Sequence, residues 1–134
     1  MAHWVCYYHV VWATKERREW ITRLNEPLIL DSIEQQSIKL KCPVVALNAA
    51  CDHVHVAVCI PPSVAVAQWV SKVKGYSSRL VNETYPEMQF QWQEGYGVYT
   101  FGSKNLPFVK EYIANQKQHH RNHTVYPHLE RVED

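Results

Sequence analysis

The chain has 134 residues, 46% of them hydrophobic, and a formal net charge of +1. This composition predicts one domain over residues 1–134, and it argues against a membrane or secreted protein, because no apolar run of about 18 residues and no signal peptide are found. We therefore expect a cytoplasmic protein in which any binding of nucleic acid uses a local basic patch, since the net charge is too small for a general positive field.

The first predicted element is a strand from Trp4 to Trp12, because nearly all its residues are aromatic or β-branched. Side chains alternate between the two faces of a strand. One face then carries Tyr8, Val10 and Trp12, and the other carries Tyr7, His9 and Val11. The strand is followed by a charged segment, residues 14–19, which predicts either a solvated turn or a cationic contact site.

A covering helix is predicted next, from Asn25 to about Lys41. Asn25 is placed as its N-cap and Pro27 in its first turn. Its apolar residues recur on one side, which indicates packing against a core and no evident chemistry. Pro43 ends the helix, and a second strand is predicted over residues 44–50.

The segment 51–60 predicts a central strand with two histidines on one face. The valines of this segment alternate with His53 and His55, so one face is core and the other presents two imidazoles about 6–7 Å apart at their Cβ atoms. They are either ordinary strand residues or two ligands of one cation that has a third ligand elsewhere. Cys51 and Cys59 are about 26 Å apart along the strand, too far to join both histidines on one zinc ion. The four irregularly spaced cysteines are expected to be reduced.

The second half of the chain predicts a helix, a strand and another helix. Ser63 is predicted to be the N-cap of a helix that extends to about Glu83. Residues 97–102 are predicted to form a last short strand. Asn105 is predicted to cap a helix from residue 106 to about residue 121. Residues 122–134 are predicted to form a tail. The order strand, helix, strand, strand, helix, strand, helix predicts an α+β fold, a ferredoxin-like split β-α-β sandwich with an antiparallel sheet and an added C-terminal helix. Enzymes and RNA-binding modules both use this architecture.

The predicted last helix carries Tyr112 and Gln116, which lie on one flank because they are four residues apart. A tyrosine at this position is typical of the edge of a core. However, a metal held by His53 and His55 would find a third ligand in the carboxamide oxygen of Gln116. Tyr112, one helical turn from Gln116, would then lie near a phosphate bound by the metal.

Four segments together resemble a known family. They are Tyr8-His9-Val10-Val11-Trp12-Ala13-Thr14-Lys15, Asp52-His53-Val54-His55, Lys74-Gly75-Tyr76-Ser77-Ser78 and Tyr112-Ile113-Ala114-Asn115-Gln116. This combination resembles the single-tyrosine HUH transposases of insertion sequences that move as single-stranded DNA, which are related to the REP-associated tyrosine transposases. His-x-His is weak evidence by itself, whereas the combination in this fold order is specific.

The resemblance implies a site and a reaction. His53 and His55 would be metal ligands, Gln116 the third ligand, and Tyr112 the nucleophile that forms a 5′-phosphotyrosine link with single-stranded DNA bearing hairpin ends. The ion would be Mg²⁺ or Mn²⁺, and two imidazoles with an amide oxygen suit Mn²⁺ better by ligand softness. The resemblance also implies a homodimer in which the tyrosine helix of one subunit completes the metal site of the other.

Contacts to DNA are expected from cations that follow the first strand and line the second helix. The candidates are Lys15, Arg17, Arg18, Lys72, Lys74 and Arg79. Tyr76, Trp92 or Tyr96 would stack on unpaired bases if exposed, and each is equally compatible with the core. Two other functions stay open: a non-catalytic, domesticated single-strand binding module of the same fold, and a metalloenzyme acting on a substrate other than nucleic acid.

Overall fold

The computed structural model describes residues 3–117 and contains the predicted order of elements. The strands are β1 (Tyr7–Ala13), β2 (Val44–Ala49), β3 (His53–Cys59) and β4 (Gly97–Phe101). The α-helices are α1 (Glu26–Lys39), α2 (Val66–Thr84) and α3 (Leu106–Ala114). A short 3₁₀ turn, Lys15–Arg17, follows β1 directly.

The strands form one four-stranded sheet in the order β2-β3-β1-β4, and all three strand pairs are antiparallel. This confirms the ferredoxin-like α+β fold, with a C-terminal helix added to it. In the register of β1 against β3, His9 lies opposite Ala57 and Val11 lies opposite His55. Because residues directly opposite each other share a face of the sheet, His9 lies on the same face as His53 and His55.

One face of the sheet packs against α1 and α2 and holds the main hydrophobic core. The predicted valines of β3 and Val10 and Trp12 of β1 are all fully buried there. The Trp12 ring meets the Trp69 ring of α2 edge-on, with 5.9 Å between centroids. Trp69 keeps its polar atom satisfied inside this core by donating a hydrogen bond from Nε1 to Oγ of Ser37, at 3.0 Å. Aromatic packing therefore holds α2 on the sheet, and this hydrogen bond joins α2 to α1.

The other face, which carries the histidines, is covered by α3. Val109 and Ile113 of α3 pack on Ala57 of β3, and Phe101 lies at the edge of this cluster. The periodicity of the sequence predicted these helix residues as a packing ridge. The histidine face is therefore a closed interface between the sheet and α3.

Several predicted boundaries are wrong. The strand β1 begins at Tyr7 and not at Trp4, because its pairing with β3 and β4 starts at Tyr7, whereas Trp4 is 38% exposed. The predicted cap Ser63 lies in a turn closed by the Val64 N–H donating to the Pro61 carbonyl at 3.0 Å, and Ala65 is the N-cap residue of α2 instead.

Asn25 is the N-cap residue of α1, as predicted, but its side chain does not cap the helix. Its Oδ1 accepts a hydrogen bond from the Thr22 N–H at 2.8 Å, and its Nδ2 donates to the Trp20 carbonyl at 2.8 Å. Asn25 therefore stabilises the loop before the helix. This helix ends at Lys39, two residues before the predicted end.

The first part of the predicted last helix is α3, which ends at Ala114; Asn115 has φ −100° and ψ 21°, and residues 116–117 are helical again. The predicted end near 121 and the predicted tail 122–134 lie outside the described residues. All four cysteines are free thiols, as expected. Among residues 3–117, no helix is both long and apolar enough to cross a bilayer.

Candidate metal and tyrosine site

The two histidines of β3 form the centre of the candidate site. His53 is 1% exposed and His55 is fully buried, and their ring centroids are 5.0 Å apart. Both project from the sheet face that α3 covers. The alternation of the sequence thus predicted their common face correctly, and the fold encloses the pair.

An aspartate orients the first of these rings. Nδ1 of His53 lies 2.7 Å from Oδ1 of Asp52, and Nη1 of Arg17 lies 3.7 Å from the same oxygen. The Asp52 carbonyl accepts a hydrogen bond from the Thr14 N–H at 2.8 Å, which fixes the tip of the β2–β3 hairpin. When the Nδ1–H of His53 donates to the carboxylate, its Nε2 carries the lone pair that a metal requires.

A third histidine, to which the sequence assigned no role in the site, contacts the second ring. Nε2 of His9 lies 2.8 Å from Nδ1 of His55, and the two rings are stacked with 5.0 Å between centroids. His9 is fully buried. Its position on this face was predictable from alternation, but its contact with His55 depends on the register between β1 and β3.

Tyr112 lies on α3 above these rings. Its ring centroid is 6.1 Å from that of His55 and 6.5 Å from that of His9. Phe108, one turn earlier, stacks on Tyr112 at 6.4 Å and is itself 50% exposed. Tyr112 is only 2% exposed. The predicted nucleophile is therefore next to the predicted metal ligands and is covered by the protein.

The C-terminal end of α3 is fastened beside His55. Asn48 of β2 lies opposite His55 in the strand register. Its Nδ2 donates hydrogen bonds to the carbonyl oxygens of Ile113 at 3.0 Å and Ala114 at 3.1 Å. Gln116 follows two residues later and is fully buried. Asn48 thus joins β2 to the end of α3, two residues before the predicted third ligand.

We predict that Asn48→Asp loosens α3, because the aspartate keeps the oxygen that accepts a hydrogen bond from Lys117 Nζ at 3.0 Å but loses both donors to the helix carbonyls. The expected loss in free energy of unfolding is about 1–3 kcal/mol. Hydrogen exchange in α3 should become faster than in β1 and β3. Asn82→Asp is the matched control, since Asn82 binds the Phe90 backbone away from the site. If the rate of hydrogen exchange in α3 rises equally in both variants, the hydrogen bonds from Asn48 do not specifically hold α3 on the sheet.

The donor set fits a hard or borderline divalent cation. No cluster of three or more His, Cys, Asp or Glu side chains able to hold a metal occurs within residues 3–117. The third ligand predicted from the sequence, the Gln116 amide, is of another type. Two imidazoles and an amide oxygen favour Mn²⁺ by ligand softness, and they can also bind Mg²⁺. Partial burial raises the pKa of the Cys51 thiol, and the carboxylates of Asp52 and Glu19 raise it further, which disfavours a thiolate ligand at neutral pH.

The predicted DNA-binding cations form two separate groups. Lys15, Arg17 and Arg18 lie in the turn after β1, where Arg17 reaches the Asp52 carboxylate. Arg17 and its neighbour Glu16 have φ values of 56° and 57°, a left-handed backbone that is costly for residues other than glycine. This turn is therefore held in an unfavourable conformation next to the His53 side of the site.

The second group lies on α2, which packs on the opposite face of the sheet from the histidines. Lys72 and Arg79 are exposed there, and Arg79 lies 5.4 Å above the Tyr76 ring. Lys74 has a structural contact, because its Nζ donates to the carbonyls of Gln93 at 2.7 Å and Gly95 at 3.1 Å.

Two of the candidate aromatics pack at the edge of the core. Trp92 donates from Nε1 to Oγ of Ser77 at 2.9 Å and contacts the Trp12 ring, and Tyr96 packs against the same core. The core alternative is therefore correct for both residues. Tyr76 lies between two cations, Arg79 and Lys39.

Comparison with known proteins identifies the family. A family model described as "Transposase IS200 like" matches residues 2–116. The chain belongs to the IS200-like transposase family. The transposase for insertion sequence element IS200 of Salmonella typhimurium is 31% identical over 130 residues, which cover 87% of this chain and 81% of that protein. The ISDra2 transposase TnpA of Deinococcus radiodurans is 23% identical over 115 residues, covering 81% of this chain and 82% of that protein.

Two solved structures share the fold of this IS200-like transposase. The crystal structure of a candidate transposase from Deinococcus radiodurans has a TM-score of 0.72 and 24% identity, and covers 87% of this chain and 94% of its own. A REP-associated tyrosine transposase bound to a REP hairpin has a TM-score of 0.67 and 11% identity, and covers 90% of this chain and 73% of its own. At these identities the likeness concerns the fold.

Proposed function

We propose that this IS200-like transposase cleaves and rejoins single-stranded DNA at insertion-sequence ends through a 5′-phosphotyrosine at Tyr112. One observation carries the proposal: the Tyr112 ring lies 6.1 Å from the ring of His55, and the His53 ring lies 5.0 Å from His55 on the same face. The proposed nucleophile and the two proposed metal ligands thus lie close together although they belong to separate elements, α3 and β3. Membership of the transposase family supports the same chemistry.

The proposed reaction balances without an external energy source. The phenol oxygen of Tyr112 attacks the phosphorus in line, one P–O bond forms, and the bond to the 3′ oxygen breaks. Rejoining reverses this step, with a 3′-hydroxyl attacking the phosphotyrosine and releasing Tyr112. Because free tyrosine has a pKa of about 10, the phenol loses its proton only as the bond forms. The departing 3′ oxygen takes up one proton and becomes the 3′-hydroxyl, so the number of protons is unchanged.

His53, His55 and Gln116 are the proposed ligands of Mg²⁺ or Mn²⁺. When bound, such an ion supplies a Lewis acid that polarises a non-bridging phosphate oxygen and positions the phosphate. Asp52 and His9 hold the two imidazoles in orientation through their Nδ1 atoms. With a proton on Nδ1 of each ring, these partners would leave Nε2 of both histidines for the ion.

The burial of Tyr112 implies that α3 moves when DNA binds. A phosphate cannot approach a phenol on a residue that is 2% exposed, so the helix has to shift or detach from the sheet. The helix contacts the sheet through the Ala57, Val109 and Ile113 cluster, the hydrogen bonds from Asn48 and the Tyr112 ring against His9 and His55. Displacement of α3 would break these contacts, so the binding of DNA would have to compensate for their loss.

We propose single-stranded DNA with hairpin ends as the partner, as the hairpin bound by the REP-associated tyrosine transposase suggests. Lys15, Arg17 and Arg18 would contact phosphates next to the metal site, and Lys72 and Arg79 would contact a second stretch of DNA across the helical face. Lys74 would contribute less, because its ammonium already binds two carbonyl oxygens. Tyr76 would stack on a base if the cations beside it engage phosphates.

A covalent-capture assay tests the proposal. Purified protein is mixed with labelled single strands from both flanks of its own gene, with Mg²⁺, Mn²⁺ or EDTA, and the products are separated on a denaturing gel. We expect an adduct that survives denaturation and requires the metal. Tight binding of the strands with no adduct under any metal would instead favour the non-catalytic binding module.

The proposal includes a homodimer in which two subunits exchange α3. In such a swap the helix makes the same contacts with the partner that it makes within one chain, so Asn48 and the Ala57 cluster would receive the partner's helix. The displacement of α3 that the buried Tyr112 requires also makes the exchange accessible.

Complementation tests the exchange. Tyr112→Phe and His53→Ala chains are each expected to be inactive alone. Refolded together, they should form adduct at about one quarter of the wild-type sites, because half the dimers are mixed and each mixed dimer has one intact site. An inactive mixture, when mixed dimers are demonstrated by mass spectrometry, would show that each chain uses its own tyrosine helix.

A further inference from the structure

We infer that His9 is a positioning residue for His55, and this inference depends on the proposed metal site. The two histidines of β3 are each engaged at Nδ1 by a different kind of group. His53 meets the Asp52 carboxylate at 2.7 Å, and His55 meets Nε2 of His9 at 2.8 Å. The sequence suggested no role for His9 beyond its place in a strand.

The register of the sheet brings His9 to this position. Its backbone lies opposite Ala57 of β3 and opposite Tyr99 of β4, so the residue stands in the central strand with neighbours on both sides. It is fully buried, and its ring lies 6.0 Å from that of Tyr99. Burying an imidazole is unfavourable unless its nitrogens are hydrogen-bonded. An apolar residue would fill this position at lower cost, which indicates that the hydrogen bond to His55 is the reason for a histidine here.

The hydrogen bond selects the tautomer of His55. When the Nδ1–H of His55 donates to Nε2 of His9, the Nε2 of His55 keeps its lone pair for a cation. Without an acceptor at that place, the proton is free to move to Nε2 of His55, where it blocks the ligand atom. His9 therefore does for His55 what Asp52 does for His53, but as a neutral acceptor.

His9 also contacts the ring of the proposed nucleophile. The Tyr112 ring meets it edge-on, with centroids 6.5 Å apart and an interplanar angle of 73°. One side chain thus touches both a proposed metal ligand and Tyr112. Replacing His9 should lower metal affinity through the lost hydrogen bond to His55, and it should change the position of Tyr112 through the lost ring contact.

The test compares three variants. His9→Leu removes the acceptor, His9→Gln keeps a hydrogen-bonding amide near the position of Nε2, and Val10→Ala creates a cavity on the opposite, fully buried face of the same strand. Mn²⁺ affinity is measured by EPR titration. The tautomer of His55 is read separately from ¹⁵N chemical shifts of the metal-free protein above neutral pH.

We expect His9→Leu to weaken Mn²⁺ binding by about 10–100-fold, the usual cost of losing a hydrogen-bonding partner of a metal ligand. We also expect it to lose the Nδ1–H tautomer of His55, while His9→Gln restores both. Val10→Ala should unfold at a lower temperature without changing either. Unchanged affinity and tautomer in His9→Leu, or an equal loss of affinity in Val10→Ala, would overturn the inference. If wild-type protein binds no Mn²⁺, the proposed metal site fails, and the tautomer comparison still decides whether His9 orients His55.

Discussion

Replacing Tyr112 with phenylalanine is expected to abolish the covalent protein–DNA adduct, a loss of about 10⁴-fold or more as for other catalytic nucleophiles. The substitution removes one oxygen atom and keeps the ring that stacks on Phe108 and meets His55. Packing of α3 on the sheet should therefore persist. The measurement is the yield of denaturant-resistant adduct with a labelled single strand, beside a gel-shift measurement of strand binding.

Tyr99→Phe is the matched control for this prediction. Tyr99 lies on the same face of the sheet, and its ring is 6.0 Å from that of His9, but it belongs to β4 and not to α3. We expect full adduct yield from Tyr99→Phe and unchanged strand binding from both variants. Adduct formation by Tyr112→Phe, combined with its loss in Tyr99→Phe, would identify Tyr99 as the nucleophile and contradict the proposed role of α3.

Local patterns predicted the parts of the candidate site that depend on one element. Alternation along β3 placed His53 and His55 on one face, and helical periodicity placed Val109 and Ile113 of α3 against the sheet. Both patterns follow from the geometry of a single strand or helix. Gln116 lies beyond the end of α3, so four-residue spacing does not decide its place relative to Tyr112. The order of elements was enough to predict the fold, because split β-α-β units pair their strands in one usual order.

The residues that orient the site could not be predicted in the same way. His9 reaches His55 only through the register of β1 against β3, and Asn48 reaches the end of α3 only because β2 lies at the edge beside it. A shift by one residue would turn each side chain to the other face, and the sequence does not determine that register by itself. Helix caps depend on local backbone geometry that residue type alone does not determine: Asn25 is the N-cap residue of α1 but its side chain binds the preceding loop, and Ser63 lies in a turn before α2.

Removing one imidazole should abolish metal-dependent chemistry. Losing an outer hydrogen-bonding partner of a metal ligand lowers metal affinity by about 10–100-fold. We expect His53→Ala to lower Mn²⁺ affinity by more than this, and to reduce the adduct yield to the level found with EDTA. The reason is that only three protein ligands are proposed, so one loss leaves two. Calorimetric titration with Mn²⁺ and the capture assay measure the two effects. His3→Ala, at an exposed histidine, controls for metal bound elsewhere on the surface.

Asp52→Asn provides the graded comparison that separates a ligand from the residue that orients it. In the wild type, Nδ1 of His53 lies 2.7 Å from the Asp52 carboxylate, which also pairs with Arg17. The asparagine side chain has the same size and can still accept a hydrogen bond from Nδ1 of His53. It lacks the negative charge that strengthens this bond. The expected order of Mn²⁺ affinity is therefore wild type, then Asp52→Asn lower by about 10–100-fold, then His53→Ala lowest. An equal loss of Mn²⁺ affinity in both variants would contradict a direct bond from His53 to the ion. Full Mn²⁺ affinity in His53→Ala would place the metal away from β3. The predicted order arises only if Nε2 of His53 binds the ion while Nδ1 is held by Asp52.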